Sequence, residues 1–334
     1  ARFDRLLPRI AGLSLLAAAL CHLLPVAAWL QLPSRWMAAF LPLLAGASLL
    51  LGLAAGSLLG SGRDRSFALL LLIDPLLRCG LGALFGWLSL GTSGQGPLLA
   101  TLLGLVAAIL FARSRLPSAD RSALPQKRRG NSLSLASPTA LAALVSLGLL
   151  LFLDLAVVRL TLDPIQSAHF AAVAVMSRFL ILLPVPLSIL LVPAVIRRLS
   201  RKEPAHPELL RTLGAALIIA LLGLLVVNEF GAALLSFFLD ADAYGGLRAD
   251  FTRYSLAAAT FALSEVLVFF GIALGRVSLA LLPTAVLVVE AHQLLHRGQS
   301  VEACIAIVQT MALALLGSLV VVVLLPLFWS GRRG

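Results

Sequence analysis

The sequence predicts an all-α polytopic membrane protein with about ten transmembrane helices in two lobes related as parallel repeats. Three observations lead there. Of 334 residues, 60% are hydrophobic and only 12% charged, with a mean hydropathy of +1.03, whereas a soluble domain carries about 25% charged residues. The charges are bunched into islands, and the apolar stretches between them reach roughly 20 residues, enough to cross about 30 Å of hydrocarbon. Lys and Arg collect in the connectors, as they do in cytoplasmic loops of membrane proteins. The same pattern speaks against a transmembrane barrel, whose strands alternate in hydrophobicity. Runs such as 141–153 and 313–327 do not alternate.

Cutting at charge islands, Pro and Gly gives the helices in order. Residues 7–30 follow the Arg2/Arg5 island, and 37–59 follow Arg35 and close on Gly56-Ser57-Leu58-Leu59-Gly60 before Arg63. Residues 67–90 run to the Gly91–Gly94 turn, and 97–112 open on Pro97 and stop at Arg113. Residues 138–160 open on Pro138, and 165–196 follow Asp163-Pro164, an N-cap with Pro at the first helical position. Residues 208–239 follow the basic turn Arg197 to Lys202, and 251–270 lead to Gly271-Ile272-Ala273-Leu274-Gly275-Arg276. Residues 278–295 end before Arg297, and 301–328 follow Gly298-Gln299.

The organisation expected is an amino-terminal lobe over 1–113, a basic linker over 114–137, a carboxy-terminal lobe over 138–329 and a tail over 330–334. The linker holds Pro117, Pro125 and Lys127-Arg128-Arg129-Gly130, and nothing apolar enough to build a core. Such a segment is topological and solvated, with anionic lipid as a further contact. Of the 26 Lys and Arg, 19 fall on the side of the two termini, 5 on the other, and Arg78 and Arg178 lie within the membrane. The positive-inside rule then puts both termini in the cytoplasm of a cell that holds this chain in its inner membrane.

A net charge of +11 points to no nucleic acid, because the basic residues sit in connectors rather than on one face. Cys21, Cys79 and Cys304 are isolated in apolar stretches, so they read as core residues and not as a disulfide or zinc framework. The first residue is Ala1, and the opening apolar segment is too long for a signal peptide. The expectation is that two further helices precede it.

Two turns recur in matching order. Gly56 to Arg63 follows the second predicted helix and Gly271 to Arg276 the eighth, while Gly94-Gln95 precedes the fourth and Gly298-Gln299 the tenth. With equal orientation in the membrane, this suggests two parallel repeats, as found among transporters.

The stretch from Phe152-Leu153-Asp154 through Ala168-His169-Phe170-Ala171-Ala172 to Leu191-Val192-Pro193, followed by the basic turn Arg197 to Lys202, resembles part of a known family. It looks like the seventh and eighth helices of polysaccharide flippases in the multidrug/oligosaccharidyl-lipid/polysaccharide exporter superfamily. The turns at Gly60 to Arg65 and Gly275-Arg276 resemble those after that family's fourth and tenth helices. The resemblance implies a transporter that moves a lipid-linked oligosaccharide or polysaccharide precursor from the cytoplasmic to the outer leaflet by alternating access. The alternative is a cation-coupled drug or metabolite antiporter of the same superfamily. Implied partners are the lipid-linked glycan, membrane lipids and glycan-assembly enzymes, with no cofactor. Family members have twelve or fourteen helices, so the first two are expected to be absent here.

Ionisable groups inside a bilayer are costly, which makes each one a candidate site. Asp74 and Arg78 are four apart on one helix face and can neutralise each other; alternatively Arg78 lines a cavity and meets substrate phosphate. Arg178 has no acid three or four residues away. Its readings are a lipid-linked pyrophosphate in the flippase, or Asp154 across helices. Asp154 and Arg159 line a vestibule or approach the interface. Glu265 is the candidate coupling-ion site, with Asp74 beside it in that role, or else a neutralised structural acid. Pro184, Pro186 and Pro193 suggest a bent helix lining a cavity.

No residue is expected to be catalytic and no metal is expected. Asp240-Ala241-Asp242 has the spacing of glycosyltransferase acids but sits in a short connector. Glu290, His292 and His296 read as an interfacial cluster near a helix end, short of a fourth ligand.

Overall fold

A computed structural model describes residues 2–24, 35–61, 63–87, 95–116, 138–238, 247–276, 279 and 281–324. Among these, all regular structure is helical. Seven helices or joined helices are long and apolar enough to cross a membrane, or eight if one bent pair counts as a single span. The count covers the described residues, and the ten expected spans run partly outside them. The chain divides into two compact units, Ala1–Lys127 and Arg128–Gly334, and the division falls inside the expected linker. Residues 117–137 of the linker and the tail lie outside the described residues.

Unit 1 contains α1 (Arg2–Leu23), α2 (Arg35–Gly60), α3 (Asp64–Trp87) and α4 (Gln95–Arg115). α1 packs on α2, and α4 packs on both α2 and α3. Small residues are prominent in the contact surfaces: Ala54, Ala100, Ala108 and Ala112 are fully buried, beside Leu58, Leu70 and Leu105. In a bilayer, where apolar side chains gain nothing by leaving lipid, such residues let backbones approach closely. At Gly104 the approach is extreme, since a Cβ there would lie 3.1 Å from the backbone nitrogen of Arg78 and 2.6 Å from its Cγ.

Unit 2 contains α5 (Pro138–Leu150), α6 (Leu153–Thr161), α7 (Pro164–Ser177), the single turn α8 (Phe179–Leu182), α9 (Val185–Ser200), α10 (His206–Phe238), α11 (Arg248–Ala273), α12 (Leu281–Arg297) and α13 (Val301–Leu319), which continues as a π-helical turn, Val320–Leu324. The fifth and sixth expected helices are therefore broken. α5 and α6 meet at 45°. α7 to α9 form one apolar run of 37 residues, about 55 Å at helical rise, which exceeds the hydrocarbon thickness and must tilt or bend. It is interrupted at Arg178 and again just before Pro184, which caps α9, while Pro186 sits in the first turn, where a missing N–H leaves no bond unmade. Of these three prolines, Pro193 alone lies in a helix interior.

Helix α11 is the centre of unit 2. Most of its length is buried, whereas the apolar stretch His206–Gly231 of α10 is largely uncovered, and it packs on α7, α8, α9, α10 and α13. The difference follows from composition. α11 carries Ala257, Ala258, Ala262 and Ser264, all fully buried, whereas α10 shows Leu217, Leu221 and Leu225 outward with Ile218 and Leu222. A stripe that apolar left uncovered on a helix suits lipid rather than water.

Asp163 caps α7 as expected, accepting from the backbone N–H groups of Ile165 and Gln166 at 3.0 Å. Gly275 has φ 69, and with it the backbone N–H of Arg276 reaches the carbonyl of Gly271 at 3.1 Å, the double-bonded C-terminal closure that favours Gly in the left-handed region. Arg63 closes α2 alike, its N–H donating to the Leu58 carbonyl at 3.0 Å. Both arginines then use their side chains in the same way. Arg63 Nη1 donates to the carbonyl of Arg115 at the end of α4, and Arg276 Nη1 donates to the Val322 carbonyl at 3.1 Å in the turn that ends α13. In each unit an arginine after one helix thus caps the last described helix of that unit, satisfying carbonyls left open there.

Candidate functional site

The bend between α5 and α6 places a helix start within an apolar span, and a helix start leaves backbone N–H groups without intrahelical partners. Asp154, in the first turn of α6, answers this: its Oδ1 accepts from the Leu155 N–H at 2.7 Å. The same oxygen accepts from Arg178 Nη2 at 2.6 Å. Its Oδ2 accepts from the Tyr254 hydroxyl, on α11. Asp154 is 1% exposed, so three donors from three elements hold a carboxylate entirely inside the protein.

Arg178 occupies the junction of α7 and α8. Its backbone stays near helical, φ −65 and ψ −17, and its carbonyl accepts from both Ile181 and Leu182 at 3.0 Å. The guanidinium lies 5.0 Å over the Phe152 ring, a cation–π contact that strengthens away from water. Its Nε is buried without a hydrogen-bond partner. Arg178 also lines a cleft of about 240 Å³ whose other walls are apolar, among them Phe152, Val175, Phe179 and Leu182. Behind it, the Ser177 and Ser255 hydroxyls bond at 2.9 Å, and Phe170 meets Tyr254 edge-on with ring centroids 5.6 Å apart. These contacts fix the registers of α7 and α11.

Of the two readings of Arg178, the structure therefore displays the interhelical pair with Asp154. Arg159 lies five residues beyond Asp154 on α6. It is exposed in the last turn of α6, where a cation suits the helix C-terminus. Asp74 and Arg78 form the expected ion pair within α3, leaving Asp74 Oδ1 and Arg78 Nε buried without partners. Glu265 is buried at 6% exposed on α11, eleven residues beyond Tyr254, roughly 16 Å along the axis. It stands outside the cluster.

Glu290 departs most from expectation. It is fully buried within the protein, on a helix that packs against α5, α6 and α13. Both its carboxylate oxygens lack hydrogen-bond partners, and it lies within electrostatic range of Asp154, Arg178 and Tyr254. The rings of His292 and His296 meet at a tilt, centroids 4.4 Å apart, toward the end of α12. No group of three metal-binding side chains occurs among the described residues. Asp240-Ala241-Asp242 lies outside them. Sequence reasoning missed Tyr254, for which a tyrosine near a helix end gave no signal, and undervalued Glu290, whose apolar neighbours Val288, Val289 and Leu294 were the signal available.

Compared with protein-family models, with characterised proteins and with solved structures, the chain matches none.

Proposed function

We propose that this chain is a membrane transporter of the polysaccharide-flippase type, moving a lipid-linked oligosaccharide from the cytoplasmic to the outer leaflet by alternating access of two lobes. The observation that carries the reading is Arg178: a buried guanidinium, braced by Asp154 and Phe152, at a break in an apolar span and on the wall of an apolar cleft. One N–H of its planar fork remains unmatched, and such forks suit phosphate oxygens. A cleft of about 240 Å³ is smaller than the 300–1,000 Å³ of typical ligand sites. It suits a phosphate and the start of a lipid chain, with the glycan lying elsewhere. The matching arginine closures of Arg63 and Arg276 support the parallel repeat, an arrangement that suits alternating access of two lobes.

The runner-up, a cation-coupled antiporter on the same scaffold, is favoured by the buried carboxylates Glu265 and Glu290. Reconstitution separates the two. Proteoliposomes holding the chain and a fluorescent pyrophosphate-linked oligosaccharide lipid are expected to move that lipid between leaflets. Arg178→Lys should slow the movement and Asp154→Asn/Arg178→Gln should abolish it. Transport of a soluble cationic drug against a pH gradient, without lipid movement, would replace the flippase by the antiporter.

A further inference from the structure

Glu290 sits beside a pair that is already electrically complete. Asp154 is acceptor-only and its oxygens take three donors: Arg178 Nη2, the Leu155 N–H and the Tyr254 hydroxyl. Glu290 takes none on either oxygen and is fully buried. Two carboxylates and one guanidinium in a single buried neighbourhood leave one negative charge uncompensated if both acids are ionised. Among the described residues of the helices packed against α12, no further cation is buried. Helix α5 carries no ionisable side chain; α6 offers, besides Asp154, only Arg159, which is exposed; α13 offers Cys304, buried, and Glu302, exposed at its start. On α12 itself His292 and His296 meet at a tilt and are exposed, as is Arg297 at its end, and α11 contributes Tyr254.

The geometry points to Glu290 as a proton-binding site, whose carboxyl carries one exchangeable proton while Asp154 holds Arg178, and whose ionisation sets it in competition with Asp154 for the same guanidinium. A proton is the cation that fits. A hard metal ion requires several oxygen ligands, and among the described residues no group of three metal-binding side chains includes Glu290, the Asp154 oxygens being taken by their own donors, whereas a proton requires one oxygen. Release converts the carboxylic acid to carboxylate and sends H⁺ to water when the cluster opens; uptake reverses both. Because Arg178 stands at the α7/α8 junction, a change of its partner acts on the broken span directly. The inference deepens the transport reading and takes its purpose from it, but the occupancy of Glu290 is decided without measuring transport.

Infrared spectra of the full chain in lipid nanodiscs at neutral pH are expected to show the C=O stretch of a protonated carboxylic acid that vanishes in Glu290→Gln. In Asp154→Asn the freed guanidinium can pair with Glu290, so the same band should fall by about half or more. Raising the pH of the wild-type chain should remove it reversibly. A band unchanged in Glu290→Gln overturns the proposal, as does an Asp154→Asn band of wild-type intensity. Should Asp154→Asn fail to accumulate, the wild-type pH series decides, and a Glu290 band that persists unchanged as the pH is raised overturns it. A chain that moves no glycan lipid can still pass this test, and one that does can fail it.

Discussion

Arg178 Nη2 lies 2.6 Å from Asp154 Oδ1, on a helix 24 residues farther along the chain, and the two side chains are 9% and 1% exposed. A pair so enclosed is weak evidence of net stabilisation, because desolvation offsets its attraction, yet removing one partner strands the other.

Removing Arg178 alone is therefore expected to destabilise unit 2 by about 3–5 kcal/mol. Arg178→Ala should lower membrane abundance sharply, and Asp154→Asn/Arg178→Gln should recover most of it. Quantitative immunoblotting of membranes checks this, and a single variant as abundant as the wild type would show that the pair is dispensable.

Tyr254 gives Asp154 its third donor. Tyr254→Phe keeps the ring against Phe170 and deletes only the hydroxyl, leaving a buried carboxylate oxygen unmatched at a cost of about 1–3 kcal/mol. A fall in the thermal midpoint in detergent is expected; Tyr254→Phe melting with the wild type would remove the hydroxyl from the cluster's support.

Lys202 holds φ 58, the left-handed region, at the end of α9, with the Glu203 N–H bonded to the Arg198 carbonyl at 2.9 Å. Glycine suits that position better, so Lys202→Gly should stabilise by about 1 kcal/mol, and Gly275→Ala should destabilise by a similar amount. Opposite shifts in melting temperature are the signature.

Gly104 leaves no room beside Arg78. Gly104→Ala should cost about 1–3 kcal/mol by overpacking α3 against α4. Gly80→Ala is the control, because a Cβ there meets nothing within 4 Å; equal loss of abundance in both would contradict the close contact.

The basic linker is expected to face the cytoplasm. In a chain without native cysteines, Ser122→Cys should resist an impermeant thiol reagent in intact cells while Ser93→Cys reacts. The reverse pattern would invert the topology.

By itself the sequence determined that this chain is helical and membrane-spanning, since both follow from quantities that add up along the chain: apolar length, scarcity of charge, and the position of caps. Asp163-Pro164 and Gly275-Arg276 were legible because a cap is satisfied by neighbours a few residues away. The i, i+4 pair of Asp74 and Arg78 was legible for the same reason. Only the tertiary structure decided which partner Arg178 takes, that Tyr254 joins it, and that Glu290 is enclosed while Arg159 is not. Those outcomes depend on how each helix is rotated about its axis and where α5 and α6 bend. In lipid, apolar residues are at home on every face, so hydrophobicity alone does not set that rotation; small residues on α11 and the polar groups that must find one another do.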